Sequence, residues 1–199
     1  VPYLTHAPME PLAATAITKT NKIDVWASTQ TPQAAQKELV KHFNLKPEQV
    51  NVNVTLLGDG FGRKSKPDYV VEAALLSQAM SGRPVRLMWS REDEIQNTYY
   101  HAVSAIKLKA GIDKKGHVDS LQGIAAYPSI GSLWNPEAKH PASWELELGL
   151  VNTPFDIDNE QIASVETAAH TRIGWMRSVC NIQQAFALGS FVDELAIES

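Results

Sequence analysis

The sequence predicts an α+β fold in which helices pack on a mixed β-sheet. Three observations lead there. Strand-like and helix-like segments are interspersed along the chain, hairpin signals between strands are frequent, and no internal repeat or low-complexity tract interrupts them. Frequent hairpins favour α+β over a doubly wound parallel sheet.

The elements follow in order. Residues 1–11 are rich in Pro and read as irregular. Leu12 to Lys19 and Lys22 to Ser28 read as strands joined by a Thr20-Asn21 turn. Pro32 suits a first helical position with Thr31 as N-cap, and that helix, carrying Ala35, Leu39, Val40 and Phe43, stops before Pro47. Val50, Val52, Val54 and Leu56 alternate with Asn51, Asn53 and Thr55, which indicates a strand with one buried face. A second helix starts near Ser65, with Pro67 in its first turn and Asp68 placed for a capping box. Its apolar face is Tyr69, Val70, Ala73, Leu76 or Ser77, and Met80, and Gly82 is its stop. Val85 to Trp89 reads as a strand, followed by a short acidic turn, Arg91 to Ile95, capped by Ser90. Val103 to Ala110 and His117 to Ala126 form a hairpin across Asp113-Lys114-Lys115-Gly116. Residues 127–160 hold four Pro and read as a long ordered connection. Ile162 to Thr167 is a further strand. Asn181 to Glu194 is the closing helix, with Ile182, Ala185, Phe186, Gly189, Val192 and Leu195 on one face.

The 199 residues fit one large domain or two small ones, and 44% are apolar, enough for an ordinary core. Lys and Arg number 18 against 22 Asp and Glu, a net charge of −4. That balance carries no electrostatic footprint for nucleic acid or an anionic membrane. No apolar run approaches the roughly 18 residues of a membrane span. Cys180 is the single cysteine, which excludes an internal disulfide, a CxxC redox pair and a thiolate-held iron–sulfur or zinc site. A redox centre would be bound by other means or sit on another subunit. The chain begins at Val1 without initiator Met or signal peptide, and both ends read as cut, so a piece of a longer chain is expected.

The strongest local feature is Gly58-Asp59-Gly60-Phe61-Gly62-Arg63-Lys64-Ser65, directly after a strand. Glycines at alternate positions let the backbone turn sharply and approach a ligand. Amides at the following helix start favour an anion, and Arg63 and Lys64 add positive charge. The loop is neither a Walker A loop, which has Gly immediately before Lys-Ser, nor a dinucleotide fingerprint, whose third Gly lies farther along. Two readings stand: a cradle for an anionic, hydrogen-bonding ligand, or a plain strand-to-helix turn.

Read with their neighbours, these residues acquire a family likeness. Leu57-Gly58-Asp59-Gly60-Phe61-Gly62-Arg63-Lys64 followed by Asp68-Tyr69-Val70-Val71-Glu72-Ala73-Ala74 resembles the glycine–phenylalanine loop of the xanthine dehydrogenase and aldehyde oxidase family. The Arg-Lys ending is similar to the branch typified by the isoquinoline 1-oxidoreductase beta subunit. His6-Ala7-Pro8-Met9-Glu10-Pro11, the block from Gly82 to Asp93, and the segments Gly174 to Val179, Ala185 to Ala187 and Ser190 to Ala196 resemble further blocks of that branch, in the right order.

The resemblance implies a molybdenum cofactor-binding domain of aldehyde oxidase/xanthine dehydrogenase type, with residues 1–199 a partial domain truncated at both ends. It implies that Gly60, Phe61 and Gly62 lie beside the oxo and sulfido ligands of a molybdopterin-held metal, and that Arg177 lies in a second cofactor-contacting loop. No protein side chain ligates the metal. The implied reaction is hydroxylation of an aldehyde or electron-poor N-heteroaromatic carbon, with water as oxygen source. The implied partners are the remainder of the large subunit, an iron–sulfur small subunit and a small-molecule substrate. The family's catalytic glutamate lies near the carboxyl end of the full subunit, so no residue here takes its role. This piece alone is expected to hold no cofactor and to be inactive. Members of the branch are often exported folded with their cofactor, so a periplasmic location is expected, a cytoplasmic one being the alternative. Two residues depart from the pattern: Asp59 stands where the family has Gly, and Gly189 where it has Glu. Both favour an alternative, a free-standing non-catalytic binding or assembly module with the same fold.

Other candidates have plainer readings. His6 and Glu10 sit four apart, but Pro8 between them argues against a helical metal pair. Arg91 to Glu94 reads as a solvated turn of local ion pairs, with a partner-subunit contact as the alternative. Cys180 reads as a buried, inert thiol. Hydrolase and nicotinamide-dependent readings fall away for want of their motifs.

Overall fold

The computed structural model describes residues 1–198, and within them the chain divides into two compact units. One comprises Thr5–Tyr99 with Gly174–Arg177. The other comprises Val1–Leu4, Tyr100–Ile173 and the residues from Ser178 onward. Each unit carries its own mixed sheet, so the α+β class holds while the single mixed sheet expected from the sequence is two.

In the first unit, β1 (Ala13–Lys19) pairs antiparallel with β2 (Lys22–Ala27), as the Thr20-Asn21 turn predicts. Helix α1 (Pro32–Phe43) carries the chain to β3 (Val50–Val54), which lies parallel to β2. β4 (Val85–Met88) adds to the other edge of β1, giving the order β3-β2-β1-β4. Helix α2 (Asp68–Ala79) and α1 cover one face of this sheet. The core beneath them comprises Leu12, Ile23, Val25, Leu39, Tyr69 and Val70 and their neighbours. Burying each large side chain stabilises the unit by about 2 kcal/mol.

Some local expectations change. The alternation of Val50 to Leu56 does not mark one buried face throughout, since Val54 is 55% and Leu56 95% exposed and the strand ends at Val54. On α2 the inward position is Ser77 rather than Leu76. Its hydroxyl accepts the Thr18 amide at 2.9 Å and donates to the Arg83 carbonyl at 2.7 Å, bonds a leucine would forfeit. Thr31 precedes α1 but makes no side-chain cap, because its hydroxyl donates to the Ser65 carbonyl instead. Ser90 does cap, and Arg91–Gln96 is a short helix, α3. It is no solvated turn: Glu94 is fully buried and paired with Arg91, whose guanidinium also donates to the Pro8 carbonyl at 2.5 Å.

In the second unit, β5 (Ala105–Ile112) and β6 (Val118–Ala126) form the expected antiparallel hairpin, and β7 (Asn159–Ser164) pairs parallel to β6. Asp113 closes the hairpin by accepting the Lys115 and His117 amides at 2.7 and 2.9 Å. The long connection contains a 3₁₀ turn, Ile130–Leu133, and a four-residue helix, α4 (Ser143–Leu146). Helix α5 (Asn181–Glu198) closes the unit with a different face inward from the one the apolar pattern suggests. Gln183, Gln184 and Leu188 are buried, while Phe186 is 65% exposed. The amide of Gln184 donates to the Tyr127 hydroxyl at 3.0 Å and the Glu145 carbonyl at 2.8 Å, so its burial leaves those donors satisfied.

Candidate functional site

β3 delivers the chain into the glycine loop, whose backbone is held in conformations that L residues avoid. Asp59, Phe61 and Gly62 have φ of 72°, 52° and 98°. A left-handed conformation costs a non-glycine residue roughly 1–2 kcal/mol, so two such residues so close together require a surrounding that fixes them. Asp is among the residues that tolerate this region, which accounts for its standing where glycine would be the easier choice.

The surroundings are visible. At the loop's entrance, Glu10 and Gly58 bridge twice: the Glu10 amide donates to the Gly58 carbonyl at 2.9 Å, and the Gly58 amide donates to the Glu10 carboxylate at 3.0 Å. In the middle, the Gly62 amide donates to Gln30 Oε1 at 2.9 Å. A Cβ on Gly60 would lie 2.4 Å from that same Gln30 oxygen, and one on Gly62 would lie 2.2 Å from the Trp175 carbonyl. The backbone carbonyl fixes glycine at 62, whereas at 60 the crowding atoms are the end of the flexible Gln30 side chain, which can swing aside at the cost of its bond to the Gly62 amide.

Gly60, Phe61, Gly62 and Arg177 are brought together. The Arg177 amide donates to the Phe61 carbonyl at 2.8 Å, tying the segment Gly174–Arg177 to the glycine loop. The His6 ring shares a short hydrogen bond with the Trp175 carbonyl and braces that segment from its other side. Arg177 itself is exposed, and among the described residues its guanidinium has no protein partner. Nor, among them, does any protein acceptor take the Gly60 or Phe61 amide.

Arg63 and Lys64 do not supply positive charge to a ligand. Both are buried, at 1% and 0% exposure. Arg63 makes a bidentate bridge to Asp68 at 2.9 and 2.8 Å and lies between the rings of Trp89 and Tyr99, 5.4 and 5.2 Å away. Asp68 thereby serves Arg63 and forms no capping box. Lys64 donates to Glu10 at 2.5 Å. These cations fasten the loop to the core, whereas Arg177 is exposed and Lys66 part-exposed.

Gln30 escapes the sequence pattern, and Glu10, singled out there only in a family motif and a discarded metal pair, is not foreseen as a partner of the loop. Gln30 belongs to the polar run Ser28-Thr29-Gln30-Thr31, in which Ser28 and Thr29 are buried. A polar run between a buried strand and a helix start is the signal that marks it. Cys180 lies in the other unit, buried as expected. Among the described residues no group of three or more His, Cys, Asp or Glu gathers to hold a metal ion, and no helix is long and apolar enough to cross a membrane.

A family model described as the molybdopterin cofactor-binding domain matches residues 1–199. The chain belongs to this family. Relatives of the family include a nicotinate dehydrogenase subunit of Pseudomonas putida, 27% identical over 98% of this chain and 17% of its own length. Another is the beta subunit of isoquinoline 1-oxidoreductase from Brevundimonas diminuta, 26% identical over 96% of this chain and 25% of its own. The chain thus spans about a quarter or less of these relatives. Two solved structures share the family's fold over 98% of the chain. Quinoline 2-oxidoreductase from Pseudomonas putida 86 superposes with a TM-score of 0.75 at 19% identity, covering 25% of that chain. Aldehyde oxidoreductase from Desulfovibrio gigas superposes with a TM-score of 0.75 at 18% identity, covering 22% of that chain.

Proposed function

We propose that this chain forms one wall of a molybdopterin site within a longer oxidoreductase subunit. In this reading the complete protein hydroxylates an aldehyde or an electron-poor N-heteroaromatic carbon, with water as oxygen source. The observation that carries the reading is the bond from the Arg177 amide to the Phe61 carbonyl, which joins two strained or irregular loops into one surface. The exposed Arg177 guanidinium, together with the Gly60 and Phe61 amides that take no protein acceptor among the described residues, makes a donor set that suits an anionic, acceptor-rich group. When bound, such a cofactor would supply two-electron redox chemistry, with iron–sulfur clusters on a small partner subunit as the electron acceptors. Gly60 and Phe61 would donate to it from the backbone, Gly62 shapes the turn that presents them, and Arg177 would balance its charge. The general base belongs to the remainder of the subunit.

The same fold also serves a second reading, a non-catalytic binding or assembly module. Asp59 favours it by adding a carboxylate to a loop meant for an anion. Gly189 does not, because it is exposed on α5 and a Cβ there would meet nothing within 4 Å.

The test is the molybdenum and pterin content of the full-length subunit, produced with its small subunit in a host that makes the cofactor. Stoichiometric molybdenum, lost in Arg177→Ala and Phe61→Asp, is the expected result, together with aldehyde or heteroaromatic turnover. A full-length subunit without pterin overturns the reading, and one that holds pterin without turnover selects the second.

A further inference from the structure

We propose that Glu10 and Lys64 are positioning residues that together set the path of the cofactor loop, one carboxylate gripping both of its ends. The proposal rests on the reading of this loop as a cofactor wall and names what holds that wall in place.

The grip is specific in its geometry. A single oxygen, Glu10 Oε2, accepts the Gly58 amide at 3.0 Å, the Ser28 hydroxyl at 2.9 Å and the Lys64 ammonium at 2.5 Å. Gly58 opens the loop and Lys64 follows its close, so the carboxylate spans the strained residues Asp59, Phe61 and Gly62 between them. The backbone repeats the hold: the Glu10 amide donates to the Gly58 carbonyl, and the Lys64 carbonyl accepts the Gln30 amide at 3.0 Å and the Thr29 hydroxyl at 3.1 Å. The loop therefore has no slack at either end. A Cβ on Gly58 would lie 2.7 Å from the Cβ of Glu10, so the two segments run too close for a side chain between them.

Stability alone does not explain the pair. The Lys64 side chain is fully buried, and taking an ammonium out of water costs several kcal/mol before its partner returns anything. Only the Lys64 end is fully buried, since Glu10 keeps 37% of its side chain exposed; replacing a buried pair with apolar or neutral groups is often neutral or stabilising, and the part-exposed carboxylate adds little to offset the cost at Lys64. What the neutral replacement cannot reproduce is a charged acceptor holding three donors at once in one geometry. That geometry anchors the backbone on both sides of Gly60 and Phe61. In the sequence Glu10 stands in an amino-terminal family motif and Lys64 at the basic end of the glycine loop, and neither hints at the other across 54 residues.

The test compares Glu10→Gln, Lys64→Met and the double variant in the full-length subunit with its small subunit. Amide hydrogen exchange at Gly58 and Gly62, the hydrogen-bonded amides of the loop, is read beside exchange in α2, and molybdenum content is read separately. The expected result for Glu10→Gln is exchange of the loop faster by about tenfold, the equivalent of one lost charge-assisted hydrogen bond, with α2 unchanged. The double variant, free of the unpaired buried charge, should melt close to the wild type yet keep the fast loop and hold severalfold less molybdenum. Loop exchange unchanged in Glu10→Gln, or a double variant with wild-type loop exchange, overturns the proposal. Should Glu10→Gln not fold, the double variant carries the test alone, and wild-type loop exchange there overturns the proposal. A wild-type subunit without pterin defeats the cofactor reading and leaves the exchange result to judge the positioning pair by itself.

Discussion

The carbonyl of Trp175 lies where a Cβ of residue 62 would have to go, 2.2 Å from its ideal position. Glycine at 62 is thus demanded twice, by this contact and by a φ of 98°. Gly62→Ala must push back a backbone carbonyl that His6 also engages. The expected cost is about 3 kcal/mol, the sum of left-handed strain and overpacking, read as a lower urea midpoint for the unit that holds the loop. A variant within about 0.5 kcal/mol of wild type, the scatter of surface substitutions, would mean that the two loops are not in contact.

Gly189 is the opposite case. It sits in the interior of α5 with open space around its Cβ position. Glycine in a helix interior is less favourable than alanine by roughly 0.5–1 kcal/mol, because it has more conformational freedom to lose. Gly189→Ala should therefore stabilise the second unit by about that amount, raising its melting temperature by a few degrees. A destabilised variant would show that something approaches this position in the folded state.

In the second unit, Glu145 is fully buried, with no cation paired to it among the described residues. Its carboxylate accepts the Ser129 hydroxyl at 2.5 Å, the Ile130 amide at 3.2 Å and the Ala142 amide at 3.2 Å. It thus gathers the irregular connection around one acceptor, in place of the regular ladder that the segment lacks. Glu145→Ala strands these buried donors, and the expected loss is about 3 kcal/mol or more by chemical denaturation. Glu145→Gln keeps the size but offers a donor where acceptors are needed, so it should recover only part. Full recovery in Glu145→Gln would show that shape, and not the acceptor pair, holds the connection.

The sequence discloses the elements whose causes are local. β1 and β2 follow from alternation and a two-residue turn, α1 from Pro32, and the β5–β6 hairpin from Asp113 and Gly116. The glycine loop is visible too, and the grouping of Gly60 to Gly62 with Arg177 comes from resemblance to a known family. What stays hidden depends on distant partners. Arg63 and Lys64 look like ligand-facing charges until Asp68 and Glu10 neutralise them inside the fold. Phe186 looks inward-facing until Tyr127 and Glu145 supply bonds that draw Gln184 inside instead. Hydrophobic periodicity cannot see a polar side chain whose partners lie tens of residues away.

Glu10 makes acid stability a direct report on the loop. Partial burial alone would raise its carboxyl pKa, but hydrogen bonds from Lys64, the Gly58 amide and Ser28 outweigh it and lower the pKa below its ordinary 4.5. A group lowered on folding stabilises the fold above its unfolded pKa and loses that contribution as pH falls through the folded one. The loop-bearing unit should therefore weaken as the solution is acidified from about pH 5 downward, and Glu10→Gln should flatten that limb. Parallel acid limbs for wild type and variant would remove Glu10 from the account.

Cys180 gives a sharper test of the second unit, because its chemistry is silent only while the fold holds. Burial, then the adjoining charge of Glu145 and the hydrogen bond to it, push the thiol up to about 12. The thiol donates to Glu145 at 3.5 Å and is 4% exposed. The thiolate is the reactive species, so at about pH 8 the native side chain is both protonated and shielded. Alkylation by iodoacetamide should therefore be slow in the native protein and reach the rate of a free thiol once urea opens the unit. Glu145→Ala lowers the thiol's pKa and loosens the connection that covers it, and both changes accelerate alkylation. A native thiol that alkylates like free cysteine at about pH 8 would place Cys180 at the surface and dissolve the Glu145 anchor with it.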